Sequence, residues 1–213
     1  MTKETMNIHK ALSELKVMDK RIKSAINKSF VYAKKHSDDK ILGLPVETCK
    51  NNMKSSFQKV KDLIARRNSL KRAVVISNAV TKVVIGGKEY TVAEAIEMKN
   101  HGMEYFKLFL KELIDQYSYT QEIIIENSGE VLEERAEKYI LNIIQNKTES
   151  KIDTKLINDL RERYIENNKY DLIDPNNVND MIDTLTTMIE DFESDVDTIL
   201  SVSNANTIIE FEY

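Results

Sequence analysis

Two stretches, SNAVTKVVIGGKEYTV (77–92) and SNANTIIEFEY (203–213), decide how this chain is read. Each opens with Ser-Asn-Ala-x-Thr and then passes from a helical to an extended pattern. In the first, the β-rich runs TKVVI and KEYTV flank Gly86-Gly87. Two-residue hairpin turns need positive φ values, which glycine adopts without steric cost, so a β-hairpin is expected over 81–92. In the second, Thr207 to Tyr213 is β-rich, lacks turn residues and is too short to be stable unpaired. Ser and Asn side chains can satisfy the groups left over at a helix end, and Asn tolerates left-handed geometry, so both motifs are expected to be helix exits. The released strands are expected to be partners, the strand 207–213 joining the 81–92 hairpin in a three-stranded sheet. Chance similarity over five residues is the competing explanation.

Outward from these strands the pattern is helical. Ile8, Leu15 and Ile22 recur every seven residues, with Ala11, Met18 and Ala25 at the companion positions of a heptad. This predicts a helix from near Thr5 to KKHSDDK (34–40), broken by Gly43 and Pro45. A second helix carries Met53, Phe57, Val60, Leu63, Ile64, Leu70 and Val74 along one side and should end near the first Ser-Asn-Ala. A third opens with Thr91 as N-cap and Glu94 three residues on, the spacing of a capping box. Its apolar run through Met98, Tyr105, Phe106, Phe109, Leu110, Leu113 and Tyr117 should pack back on the second helix, with Gly102 a weak point. The helical run EVLEERAEKYILNIIQ (130–145) lies in an insertion bounded by NKTESKIDTK (146–155) and ENNKYDLIDP (166–175). From Asn176 a second heptad seam forms, Ile182, Ile189 and Val196 with Leu185, Phe192 and Ile199. The expected fold is therefore mainly α, an elongated antiparallel helical bundle or coiled coil with a small sheet. Its parts are 1–117, an insertion lobe 118–175, and 176–213 returning to the first part in a single domain overall.

Composition narrows the function classes. With 213 residues, 41% hydrophobic and 31% charged, and only 5 Gly and 2 Pro, the chain can bury a core and favours long helices. No window approaches the roughly 18–20 apolar residues of a membrane span. The start MTKETMNIHKALSEL lacks the apolar core of a signal peptide, so export by that route is not expected. Cys49 is the one cysteine, which leaves no intrachain disulfide and no Cys-rich zinc site. Ile (24) exceeds Leu (16) and Asn (18) is abundant, as AT-rich coding produces, which hints at a low-GC bacterium or its phage. The expected location is the cytoplasm, or a virion if the gene is a phage's. The net charge of −4 conceals a split: residues 1–82 carry 15 Lys and 4 Arg against 7 acids, or +12, and the remainder is −16. Such polarity fits either intramolecular complementarity or an assembly in which opposite faces meet.

Chemical motifs are sparse. His9, His36 and His101 carry no signature linking them to Cys49 or to a nucleophilic serine, and Gly86-Gly87 lacks a Walker or dinucleotide pattern. In EERAE, Glu133 and Glu137 share a helical face, and Asp180 with Asp183 forms a second acidic pair that could complete a Mg²⁺ site. That arrangement resembles the acidic motifs of all-helical nucleotide pyrophosphatases, from which the second pair departs. No Glu-x-x-His pair for a di-iron site is present, and no cofactor is expected. In ARRNSLKR, Arg66, Arg67, Lys71 and Arg72 fall within two helical turns, a pattern suited to phosphate oxygens or, as readily, to a solvated face or contact with the acidic 171–197 segment. Duplex nucleic acid is disfavoured by the acidic remainder.

The run LIARRNSLKRAVVISNAVTKVVIGGKEYTVAEAIEMKN (63–100) resembles the septicolysin-like family of small bacterial helical proteins, at Asn78, Ala79, Thr81, Gly87, Thr91, Glu94 and Ala95. The resemblance covers these 38 of the 213 residues and does not extend to the 118–175 insertion or the C-terminal strand. It implies an oligomeric helical protein and supplies no catalytic residues. The expectation is thus a non-enzymatic, self-associating structural or interaction protein, a homo-oligomer that serves with other phage proteins as a virion or assembly component. Ile8, Leu15, Ile22, Ile182, Leu185, Ile189, Phe192 and Val196 would form the contacts within or between subunits. An oligomer sequestering an anionic nucleotide through residues 66–72, and a Mg²⁺-dependent nucleotide pyrophosphatase, are the alternatives.

Overall fold

The structure, a computed structural model, describes residues 2–145 and 154–213. Its elements run β1 (Lys3–Asn7), α1 (Ile8–Ile26), β2 (Lys40–Ile41), β3 (Leu44–Pro45), α2 (Val46–Val80), β4 (Lys82–Ile85), β5 (Lys88–Thr91), α3 (Val92–Glu97), a π-helical turn (Met98–Gly102), α4 (Met103–Glu126), α5 (Gly129–Gln145), α6 (Thr154–Asn168), α7 (Val178–Asn206) and β6 (Ile208–Glu212). The chain is mainly helical, with small antiparallel two-stranded sheets. It divides into two compact units, residues 1–102 with 191–213, and residues 103–190. α4 therefore belongs with the lobe whose start was expected at 118. The boundary expected in NKTESKIDTK lies outside the described residues except for Thr154 and Lys155.

Both Ser-Asn-Ala-x-Thr stretches occupy the last turn of a long helix, and both leave it in the same way. The N–H of Thr81 donates to the Ser77 carbonyl and that of Thr207 to the Ser203 carbonyl, each at 2.9 Å. Neither exit uses a left-handed residue, which corrects the expectation for Asn. At the first exit the turn is made by Thr81, in an extended conformation (φ −73°, ψ 125°). The carbonyl of each Thr then accepts the N–H of the first residue of another helix, Val92 onto Thr81 at 2.8 Å and Ile8 onto Thr207 at 3.0 Å.

The partner of the C-terminal strand is the larger correction. β6 pairs antiparallel with β1, in the register Glu4↔Phe211 and Met6↔Ile209, while β4 and β5 form a ribbon of their own. The second half of the strand that pairs, from Thr5 on, falls where the heptad pattern predicts the start of the first helix. The strand's inward residues are spaced by two, however, with Met6 buried and Glu4 half-buried on either side of exposed Thr5. Asn7 then closes the strand and caps α1. Its Oδ1 accepts the Lys10 N–H at 2.9 Å, while its Nδ2 donates to the Ala205 carbonyl at 3.1 Å, satisfying an acceptor left over at the end of α7. Met6, Ile209 and Phe211 pack with Ile8, Ala11, Leu15 and Met18 of α1 and with Leu70 and Val74 of α2 in one core. The hydrophobic effect thus chose this partner: in the observed register the buried faces of β1 and β6 coincide over α2. α1 also ends earlier than expected, at Ile26, because the next seam position is Ser29 rather than an apolar residue.

The hairpin and the capped start of its helix follow expectation, and α3 packs back on α2; the continuation expected to do the same is instead α4, which belongs to the second unit. Gly86 and Gly87 hold φ +55° and +74° between β4 and β5. The Thr91 hydroxyl accepts the Glu94 N–H at 3.2 Å, and the Glu94 carboxylate accepts the Thr91 N–H at 2.7 Å. The weakness expected at Gly102 appears as the π-helical turn that it ends. The two ribbons are built alike: Lys82↔Thr91 corresponds to Ile208↔Asn7, with Thr91 and Asn7 as N-caps and Val92, Ala95 and Ile8, Ala11 as buried first-turn residues. In one ribbon the strands are joined by the glycine turn; in the other Thr2 and Tyr213 exchange backbone hydrogen bonds of 3.0 and 3.2 Å.

In the second unit α5 packs on α6. Leu132, Ala136 and Ile140 are buried, and Tyr139 stacks on Tyr164 with ring centroids 4.8 Å apart.

Candidate functional site

The basic run 66–72 does not gather around one point. Arg66 reaches inward, its Nη2 2.7 Å from Glu4 Oε2 and 2.6 Å from Glu14 Oε1 and its Nε 3.2 Å from Glu4 Oε1. The guanidinium also lies over the Tyr213 ring at 5.3 Å, and the Tyr213 hydroxyl donates to Glu4 Oε1 at 2.5 Å. One side chain of α2 thereby ties β1, α1 and the residue following β6. Hydrogen bonds from Arg66, then Tyr213, hold the Glu4 carboxyl below its ordinary pKa. The bond to Glu4 raises both the Arg66 guanidinium and the Tyr213 phenol. Arg67 pairs with Asp19 at 3.0 Å, whereas Lys71 and Arg72 are exposed. Two of the four candidate ligand-binding residues are thus engaged by carboxylates of the same chain.

The acidic candidates are placed similarly. Glu133 and Glu137 converge, as their spacing requires, on Arg161 of α6, at 3.2 and 3.6 Å. Asp180 and Asp183 are exposed at the start of α7. Among the described residues no group of three or more His, Cys, Asp or Glu side chains is arranged to hold a metal ion. His9, His36 and His101 are exposed, and Cys49 is buried with its Sγ 3.3 Å from the Ile41 carbonyl.

Of the heptad residues, Ile8 and Leu15 belong to the core of the first unit, Ile189, Phe192 and Val196 are buried, and Ile22, Ile182 and Leu185 are half-buried. Phe192 meets Tyr90 edge to face at 5.8 Å. The backbone of Gly86 lies close to Asp191, where an added Cβ would stand 3.4 Å from the Asp191 Cβ.

The surface that sequence reasoning missed is on α4. Tyr105 and Phe109, expected to pack inward, are 73% and 48% exposed, as are Leu108 (58%) and Tyr119 (66%). Their spacing puts them along one flank. Phe106, Leu110, Leu113 and Tyr117 form the adjoining, half-buried stripe, where Leu113 and Tyr117 share a cavity with Leu172 and Val178. The available signal was the width of the apolar arc: one packing face does not need both stripes. Taking about 200 Å² per aromatic side chain, the exposed flank amounts to on the order of 450 Å², the size of the largest apolar patch an ordinary monomer carries, which is often a functional one. The polar rungs Glu112 and Gln116 cross it and bond each other at 2.7 Å.

Among the described residues no helix is long and apolar enough to cross a membrane. Comparison with protein-family models, with curated proteins and with solved structures finds no match to this chain.

Proposed function

We propose that this chain is a non-enzymatic, self-associating structural or interaction protein, and that it self-associates through the exposed flank of α4. The observation that carries this reading is the row of Tyr105, Leu108, Phe109 and Tyr119, which buries little within the chain. A second copy running antiparallel is the occupant that the flanking charges favour. Lys107 and Lys111 precede Asp115, Glu122 and Glu126 along the same edge of the helix. A pairing centred near Ile114 sets Phe109 across from Tyr119 and Lys107 across from Glu122, whereas parallel pairing sets like charges together. The Ile- and Asn-rich composition suits a phage virion or assembly component as the setting.

Sedimentation equilibrium and circular dichroism test the reading. The wild-type chain should show a multiple of its 24.6 kDa mass at micromolar concentration, and Leu108→Glu should be monomeric with unchanged helicity. A wild-type monomer at about 100 μM would overturn it.

A further inference from the structure

Alongside the carboxylate-bound arginines lies a group of cations with no counter-charge. A cavity of about 370 Å³ opens between α1 and the first half of α2, lined by Arg21, Ser24 and Lys28 on one side and Ser56 and Lys59 on the other, over Leu63. No carboxylate lines it. Among the described residues the side chains of Arg21, Lys28 and Lys59 make no ion pair or hydrogen bond. The adjoining cavity, which shares Lys59, is compensated by Asp62 and by the carboxylates on Arg66. Lys28 alone would be accounted for by the negative end of α1, just past which it lies. Arg21, well within that helix, and Lys59, on a different one, are not.

We propose that this cavity binds a compact polyphosphate anion, a diphosphate or triphosphate group. Arg21 on α1, Lys28 just past its end and Lys59 on α2 can share the oxygens of two or three linked phosphates, Arg21 with a planar fork and the lysines as point charges, while Ser24 and Ser56 supply hydroxyl donors. The volume is at the small end of ligand sites. No aromatic side chain lines it, so the phosphates and not a stacked base are what it recognises. A concave site with this lining selects a small anion over a duplex, whose backbone follows an extended basic surface.

The test is calorimetric titration of the full chain with inorganic tripolyphosphate at about 0.15 M salt, where weak long-range attraction is screened. One saturable site per chain is expected. Arg21→Gln and Lys59→Gln should each weaken it at least about tenfold with circular dichroism unchanged, as loss of a charge-assisted bond does. Lys71→Gln and Arg72→Gln, exposed on α2 away from the cavity, should leave it within about threefold. Absence of saturation by about 1 mM, or an equal loss in the Lys71 and Arg72 variants, would overturn the site. Adenosine triphosphate is expected to bind no more tightly than tripolyphosphate. Markedly tighter binding, or displacement of tripolyphosphate by duplex DNA at equal phosphate concentration, would overturn the ligand class.

Discussion

Replacing Arg66 with methionine should cost about 2 kcal/mol at neutral pH and far less near pH 3. The substitution removes the two bonds to Glu4, at 2.7 and 3.2 Å, and the contact with Glu14 at 2.6 Å, while an unbranched apolar chain continues to cover Tyr213. Breaking a fully buried pair costs about 3–5 kcal/mol, because the orphaned charge cannot be resolvated. Here the Arg66, Glu4 and Glu14 side chains are 18%, 27% and 22% exposed, so solvent reaches both carboxylates and the cost falls toward that of one or two charge-assisted hydrogen bonds. The pH dependence has a definite sign. Because the folded pKa of Glu4 is depressed, its contribution is complete above the ordinary glutamate value of about 4.3 and is lost as pH falls through the folded value. The variant lacks the largest cause of that depression, so the two proteins should converge in acid. Urea denaturation followed by circular dichroism should show the midpoint lower by about 1 M at pH 7. A difference below about 0.5 kcal/mol at pH 7, or one unchanged at pH 3, would refute a clasp that acts through charge.

Leu15→Asp places a carboxylate in the core shared with Leu70 and Phe211, and should abolish cooperative unfolding of the first unit rather than merely change native mass, as circular dichroism and sedimentation together distinguish. Deleting residues 208–213 removes the buried Ile209 and Phe211, each worth about 2–5 kcal/mol by truncation, and should leave the first unit without a melting transition. In the hairpin, Gly86→Ala should cost about 1 kcal/mol because it combines positive φ with a new contact on Asp191, measured by urea midpoint. Gly87→Asn, at φ +74° in open space, should stay within about 0.5 kcal/mol of wild type in the same measurement.

What could be read in advance divides along the range of the interactions. The Gly86-Gly87 hairpin and the Thr91–Glu94 capping box depend on residues within a few positions of one another, and both appear where the local pattern put them. The partner of β6 lies some two hundred residues away, and the pattern there gave a misleading cue. Ile8, Ala11 and Leu15 announce a helix so strongly that its start is placed near Thr5, taking in Met6, although Glu4 and Met6 alternate with exposed Thr5. The role of Arg66 was hidden for the same reason: its partners Glu4 and Glu14 adjoin it only after α1 has folded back on α2 and β1 has paired with β6. α4 failed differently. The pattern picks out Tyr105 and Phe109 but passes over Leu108 and Tyr119, and periodicity records which residues share a face and not whether that face is covered.

The likeness of the two Ser-Asn-Ala-x-Thr exits is, on this view, a statement about corners: each delivers a strand whose neighbour begins a capped helix. They differ in connection, and that difference can be erased. The pair Thr2 and Tyr213 exchanges both backbone bonds, which is the pair geometry that a two-residue turn closes, as Gly86-Gly87 closes Ile85 and Lys88. Joining Tyr213 to Thr2 through Gly-Gly should therefore strain nothing in the folded chain while restricting the unfolded one. The entropy of closing a loop of this length sets an upper limit of about 5 kcal/mol, of which engineered links commonly deliver about half. A cyclic chain made by intein ligation should thus unfold at a urea concentration about 1 M or more above the linear one. If it were no more stable, the β1–β6 ribbon would not be the second instance of the hairpin corner, because closing a true hairpin register with its own turn adds no strain to offset the entropy gained.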